Sequence, residues 1–161
     1  MSLLKLLLFS SIDERSEVET RYAPIGLAGL AAVVNRDFSD DWEVRIANGS
    51  LPAVLREYKP DLVGLSCVSQ NYHIAQAQAR ICRAAGIPVL LGGVHISMLP
   101  ASLTPDFTAA CLDEGEETLA DFLRIFQECR GFPPDRLAAL SGVVFFDGGR
   151  RIFRWASGPW D

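Results

Sequence analysis

The sequence predicts a doubly wound α/β domain with a mainly parallel sheet, and three observations carry that prediction. Strand-length apolar runs alternate with helix-length amphipathic segments through residues 1–130, with short connections between them. Leu62-Val63-Gly64-Leu65 and Val89-Leu90-Leu91 are apolar without alternation, as strands buried on both faces are. Ala85-Gly86-Ile87-Pro88 joins a helix stop directly to a strand start, the passage that a crossover connection requires.

Taken in order, Leu4 to Phe9 is the first strand. Lys5 interrupts its apolar run and Asp13-Glu14 follow with no small-residue cleavage site, so it does not read as a targeting segment. A polar loop spans Ser10 to Ala23. Pro24 and Ile25 open a helix reaching about Val34, in which Gly26 and Gly29 permit close packing. Trp42 to Ala47 alternates as a second strand, and Ser50 with Pro52 starts a short helix, Leu51 to Tyr58. Pro60-Asp61 leads into the third strand, Leu62 to Leu65. A helix then runs from Asn71 or Tyr72 to Ala85, and Val89 to Leu91 is the fourth strand. A loop, a short strand at about Phe107 to Leu112 and a helix from Glu116 to Glu128 complete the alternation. Gly131-Phe132-Pro133-Pro134 reads as a linker. Val143 to Phe146 and Arg150 to Trp155 form a β-hairpin around Asp147-Gly148-Gly149. The expected organisation is a main domain over residues 1–130 and a linker with hairpin over 131–161. The closing Ala156-Ser157-Gly158-Pro159-Trp160-Asp161 is expected to continue into a longer chain.

At 161 residues the chain fits one domain with a sizeable core. With 49% hydrophobic and 22% charged residues it reads as globular, and a net charge of −5 without a Lys/Arg run argues against a nucleic-acid surface. No apolar run is long enough to span a membrane. Cys67, Cys82, Cys111 and Cys129 are widely separated, with no CxxC spacing. They read as reduced, mostly buried thiols of a cytoplasmic protein, and no metal ligands are assigned.

Gly92-Gly93-Val94-His95 is the candidate site. Ligands of such sheets sit outside the carboxyl ends of the strands, where Gly92 and Gly93 fall, and glycine lets a flat or bulky group approach the main chain. The same pair also suits a simple tight turn. Two related site types lack their residues. A dinucleotide site needs GxGxxG after the first strand, where Phe9-Ser10-Ser11-Ile12-Asp13 stands. A phospho-receiver needs an aspartate ending the third strand, which closes on Leu65-Ser66-Cys67. A flavin site is disfavoured because no Ser/Thr-rich phosphate loop follows the first strand.

Gly64-Leu65-Ser66-Cys67-Val68, followed about a helix later by Leu91-Gly92-Gly93, resembles the Ser-x-(Leu/Val) and Gly-Gly elements of cobalamin-binding domains of the flavodoxin-like (Rossmann-like) type. The resemblance implies a five-stranded sheet of order 2-1-3-4-5. It also implies a Ser66 hydroxyl bonded to the buried dimethylbenzimidazole tail of cobalamin (vitamin B12), with Gly92 and Gly93 lining the tail's channel. The family's lower-ligand motif DxHxxG is missing, since Asp13-Glu14-Arg15-Ser16-Glu17-Val18 holds neither histidine nor glycine.

Domains without that histidine resemble the N-terminal domains of cobalamin-dependent radical SAM enzymes. The chain is similar to them from about Leu4 to Arg154, through Arg21-Tyr22-Ala23-Pro24-Ile25-Gly26-Leu27, Pro60 to Ser66, Gly92 to His95, Asp113-Glu114-Gly115-Glu116-Glu117-Thr118 and the closing hairpin. This second resemblance implies base-off cobalamin with no protein histidine on the metal. It implies a parent enzyme, a methyltransferase by preference, whose C-terminal radical SAM domain carries a [4Fe-4S] cluster and S-adenosylmethionine. No CxxxCxxC occurs here, so no catalytic residue is expected in this chain. A stand-alone cobalamin carrier or sensor stays open.

The cofactor contacts implied are Ser66, Cys67, Val68, Gln70, Gly92, Gly93, His95, Glu114, Gly115, Tyr22 and Pro24. Several have a plainer reading as well. Glu114 and Glu116 suit any helix amino end, His95 suits a half-buried loop, and Tyr22, Pro24 and Ile25 could staple the first helix to the sheet. Gln70, Asn71, Tyr72 and His73 follow the third strand, where the lower corrin face is expected. Asn71 there also reads as a helix cap, and His73 is the alternative metal ligand.

Overall fold

A computed structural model describes residues 2–21 and 24–155. Its strands are β1 (Leu4–Ser10), β2 (Trp42–Ala47), β3 (Leu62–Ser66), β4 (Val89–Gly92), β5 (Ala109–Cys111), β6 (Val143–Asp147) and β7 (Arg150–Arg154). The helices are α1 (Glu17–Arg21), α2 (Ile25–Asp37), α3 (Leu51–Tyr58), α4 (Tyr72–Ala84), α5 (Val94–Met98), α6 (Glu116–Cys129) and α7 (Pro134–Ala138). One sheet runs β2-β1-β3-β4-β5-β6-β7. Its first five strands are parallel in the expected order 2-1-3-4-5, while β6 and β7 are antiparallel. The hairpin extends the sheet, with Ala109 opposite Phe145 and Cys111 opposite Val143. Because β2 and β3 leave β1 on opposite sides, the carboxyl ends of β1 and β3 flank the crevice where ligands of open α/β sheets bind.

Successive side chains of a strand point to opposite faces, so the sheet divides two cores. Leu6, Leu8, Leu62 and Leu90 pack with Leu27, Val34, Phe122 and Leu123 of α2 and α6. Leu7, Phe9, Val63, Leu65, Val89 and Leu91 pack with Tyr58, Ala75, Ala79, Cys82 and Ile96 of α3, α4 and α5. Local chemistry bounds the helices as expected. The Ser50 hydroxyl accepts from the Ala53 N–H at 3.4 Å to start α3, and Gly86, at φ +74°, follows the end of α4.

Three short helices occupy segments expected to be irregular. Helix α1 lies in the Ser10–Ala23 loop, α5 follows β4 directly and α7 interrupts the linker. Each spans five residues, too few to show helical periodicity or to be stable without tertiary contacts. Strand β5 is shorter than expected, because Phe107 closes a turn onto the Thr104 carbonyl and leaves only Ala109–Cys111 paired. Among the described residues no helix is long and apolar enough to cross a membrane.

Candidate functional site

Strand register builds the site. Ser10, Ser66 and Gly92 lie side by side at the carboxyl ends of β1, β3 and β4, and two residues earlier Leu8, Gly64 and Leu90 form a parallel row. Two residues of strand advance about 6.6 Å, so the rows stack on one face of the sheet as a mouth and a floor. Leucines flank Gly64, which has no side chain of its own, and Leu8 Cδ2 lies 3.1 Å from where a Cβ would stand. The result is a cavity of 380 Å³ between this face and helices α2 and α6. Gly26, Leu27 and Leu30 of α2 and Leu119 and Phe122 of α6 form the opposite wall; Cys111, Asp113, Glu114, Gly115 and Glu116 close one side. The volume is near the lower end of small-molecule sites, roughly 300–1,000 Å³.

The two glycines after β4 divide the work expected of them jointly. A Cβ on Gly92 would meet nothing within 4 Å, so this residue opens onto the cavity. Gly93 sits at φ +104° and ψ 180°, and a Cβ there would lie 2.7 Å from the Cys67 carbonyl oxygen and 3.0 Å from Ser66 Oγ. It lines the cavity too, but its own requirement for glycine comes from backbone crowding between β3 and β4. The Ser66 hydroxyl has no hydrogen-bond partner among the described residues, and it faces the cavity. An accessible, unpartnered hydroxyl beside bare backbone is suited to bind a ring nitrogen.

Ser66, Gly92, Gly93, Glu114 and Gly115 therefore meet around one cavity. Cys67, Val68, Gln70, His95 and Pro24 stand outside its lining. Tyr22 lies outside the described residues. Cys67 turns into the opposite core, where burial pushes its thiol up to about 11 and keeps it protonated. Gln70 and Asn71 donate to the Glu19 carboxylate at 2.6 Å and 3.0 Å, and the Asp13 N–H joins them at 2.6 Å. Asn71 occupies the position before α4 but forms no side-chain cap; its amide pins the loop after β1 to the loop after β3. The backbone bond from Asp13, then the amide of Asn71, holds the Glu19 carboxyl below its ordinary range.

His95 is buried on α5, stacked on Tyr72 at 4.0 Å between ring centroids. Its Nδ1 is 3.0 Å from Ser69 Oγ and its Nε2 2.9 Å from Ser102 Oγ. Since Ser102 Oγ donates to the Leu99 carbonyl at 2.7 Å, it accepts from His95 Nε2–H, and Nδ1 accepts from Ser69. Burial lowers the imidazole pKa below 6.5. The unfolded chain then binds this proton more readily, so the stability contribution is full above about pH 6.5 and is lost as pH falls through the lowered native value. Urea midpoints should fall on acidification through this range, and His95→Gln should remove that part of the slope. An identical slope in both proteins would contradict the assignment.

Ile25 and Val94, next in the chain to the lining residues Gly26 and Gly93, are 81% and 64% exposed, and Met98 at the end of α5 is 73% exposed. The reading from sequence did not single out Gly64, Leu8, Leu90, Leu119 or Phe122 as walls. A glycine inside an apolar strand was the available signal, since such a residue often marks close approach of a ligand.

The profile of a protein family described as B12 binding domain matches residues 15–123, more than half of the chain. No curated protein matches it.

Proposed function

The chain belongs to the B12-binding domain family, and from that premise we propose that it holds cobalamin base-off, with the nucleotide tail in the cavity and no protein histidine on the metal. The observation that carries this reading is the cavity itself, which is apolar in its depth, open at Gly92 and provided with the unpartnered Ser66 hydroxyl. The residues present fit the group. The cavity admits a bicyclic base but is too small for a corrin, and the exposed Ile25 and Val94, next in the chain to the lining residues Gly26 and Gly93, offer the ring apolar contacts beside the opening. Glu114 and Glu116, at the amino end of α6, can accept from the corrin's amide groups.

Histidine coordination has little support. The Asp13–Val18 loop has none, both ring nitrogens of His95 are engaged by serines, and His73 sits exposed on α4. Bound cobalamin supplies a metal centre able to make and break a bond to carbon, while this chain binds it, sequesters its tail and leaves the metal accessible. The shared motifs favour a radical SAM parent, a methyltransferase by preference, in which a further domain brings the iron–sulfur cluster and S-adenosylmethionine. On this reading residues 1–130 bind the cofactor and 131–161 lead toward that domain. The cavity is built within this chain, which also suits a non-catalytic carrier or sensor; a CxxxCxxC motif downstream of Asp161 would separate the two.

Electron paramagnetic resonance of the cob(II)alamin complex tests the binding mode, because an axial nitrogen splits each cobalt line into a triplet. Unsplit lines are expected. Triplets that disappear in His73→Ala would replace this reading with histidine ligation, and triplets that persist there would indicate that the tail remains on the metal. The role of Ser66 has its own test. A net hydrogen bond is worth about 0.5–1.5 kcal/mol, so Ser66→Ala should weaken cobalamin roughly two- to tenfold. Cobinamide, which lacks the base, should bind both proteins alike; equal weakening of both ligands would remove the assigned role.

A further inference from the structure

We propose that this cavity selects among cobamides by the polarity of their lower base, admitting benzimidazole and phenolic tails and rejecting adenine-type tails. The inference rests on the tail-in-cavity reading and goes beyond it to the class of corrinoid used. Its basis is the floor. Leu8, Leu90, Leu119 and Phe122 surround the space above Gly64, and all four are buried apolar side chains. Strand pairing on both sides of β3 occupies the backbone there, with Gly64 between Leu8 and Leu90 in register. The remaining polar candidate, the Cys111 thiol, is directed to the Leu112 carbonyl at 3.7 Å. The free hydroxyl and the carboxylates of the lining are on Ser66, which ends β3, and on Asp113, Glu114 and Glu116, which follow β5, away from the Leu8-Gly64-Leu90 row.

A benzimidazole places only carbon on the edge that reaches the floor, once its ring nitrogen has met Ser66. Adenine offers Ser66 an equivalent nitrogen, but its far edge carries an exocyclic amine and further ring nitrogens. Those groups would exchange water for hydrocarbon with no partner, and each buried polar group left unpaired lowers affinity by about an order of magnitude. Ser66 therefore cannot discriminate between the two tails, whereas the floor can.

Equilibrium dialysis with a set of corrinoids tests this on the 161-residue chain. Benzimidazolylcobamide is the reference, because it lacks the methyl groups of cobalamin and nearly matches adenine in size. Adeninylcobamide should bind at least about tenfold more weakly than this reference. Cresolylcobamide, apolar and without a ring nitrogen, should lose no more than the Ser66 hydrogen bond is worth, roughly two- to tenfold. Adeninylcobamide binding within about threefold of the reference would overturn the selectivity while leaving the tail in the cavity. Cobinamide binding as tightly as cobalamin would instead overturn the reading beneath it, since the tail would then add nothing.

Discussion

Gly92→Val is expected to reduce cobalamin affinity to that of cobinamide, a loss of two orders of magnitude or more, with the fold retained. The main chain at Gly92 is not in the left-handed region and an added Cβ would contact nothing within 4 Å, so folding has little reason to resist the substitution. The new side chain would stand at the mouth row, level with Ser66, in the path of the tail. A bicyclic base buries an area like that of an aromatic side chain, about 150–250 Å². At about 25 cal/mol/Å² that burial is worth roughly 4–6 kcal/mol as an upper value, and each 1.4 kcal/mol lost is about tenfold in affinity.

Dialysis with cobalamin and cobinamide, beside a thermal melt, separates the possible outcomes. Blocking predicts weak cobalamin binding, undiminished cobinamide binding and an unchanged melt. Wild-type affinity for cobalamin would mean that the tail does not pass Gly92. A lowered melt with both ligands weakened would assign the glycine to folding instead.

The strands themselves were legible because β1, β3 and β4 are apolar runs and β2 alternates, patterns that depend on local sequence alone, whereas their order was implied by the family resemblance. The cavity was only partly legible. Ser66 and Gly92 stand at strand ends, where the fold class places ligands, but the floor exists because Leu8 and Leu90 fall beside Gly64 in register, and register is a non-local property. His95 shows the same limit. Its motif stood out, yet its engagement depends on Ser69, 26 residues away, and on Ser102, seven residues away. The Asn71 side chain departs from a local rule for a similar reason. A carboxylate 52 residues distant offers its amide a charge-assisted bond in place of the helix end.

Gly93→Ala should act on folding where Gly92→Val acts on binding, although the two positions are adjacent and chemically identical. The backbone at φ +104° and ψ 180° belongs to a region occupied essentially by glycine alone, and forcing another residue into it costs about 1–3 kcal/mol. The added methyl would also lie 2.7 Å from the Cys67 carbonyl oxygen. That atom is main chain and cannot rotate away, so the ends of β3 and β4 must separate. Together these effects point to a loss of about 3 kcal/mol or more, which for a domain of this size lowers the melting temperature by roughly 6–12 °C. Asparagine offers no rescue, because its tolerance is for the compact left-handed helical region and not for this extended one. A melting temperature for Gly93→Ala within about 2 °C of wild type would show that the β3–β4 crowding relaxes freely. The second glycine would then owe its place to the ligand, as proposed for the first.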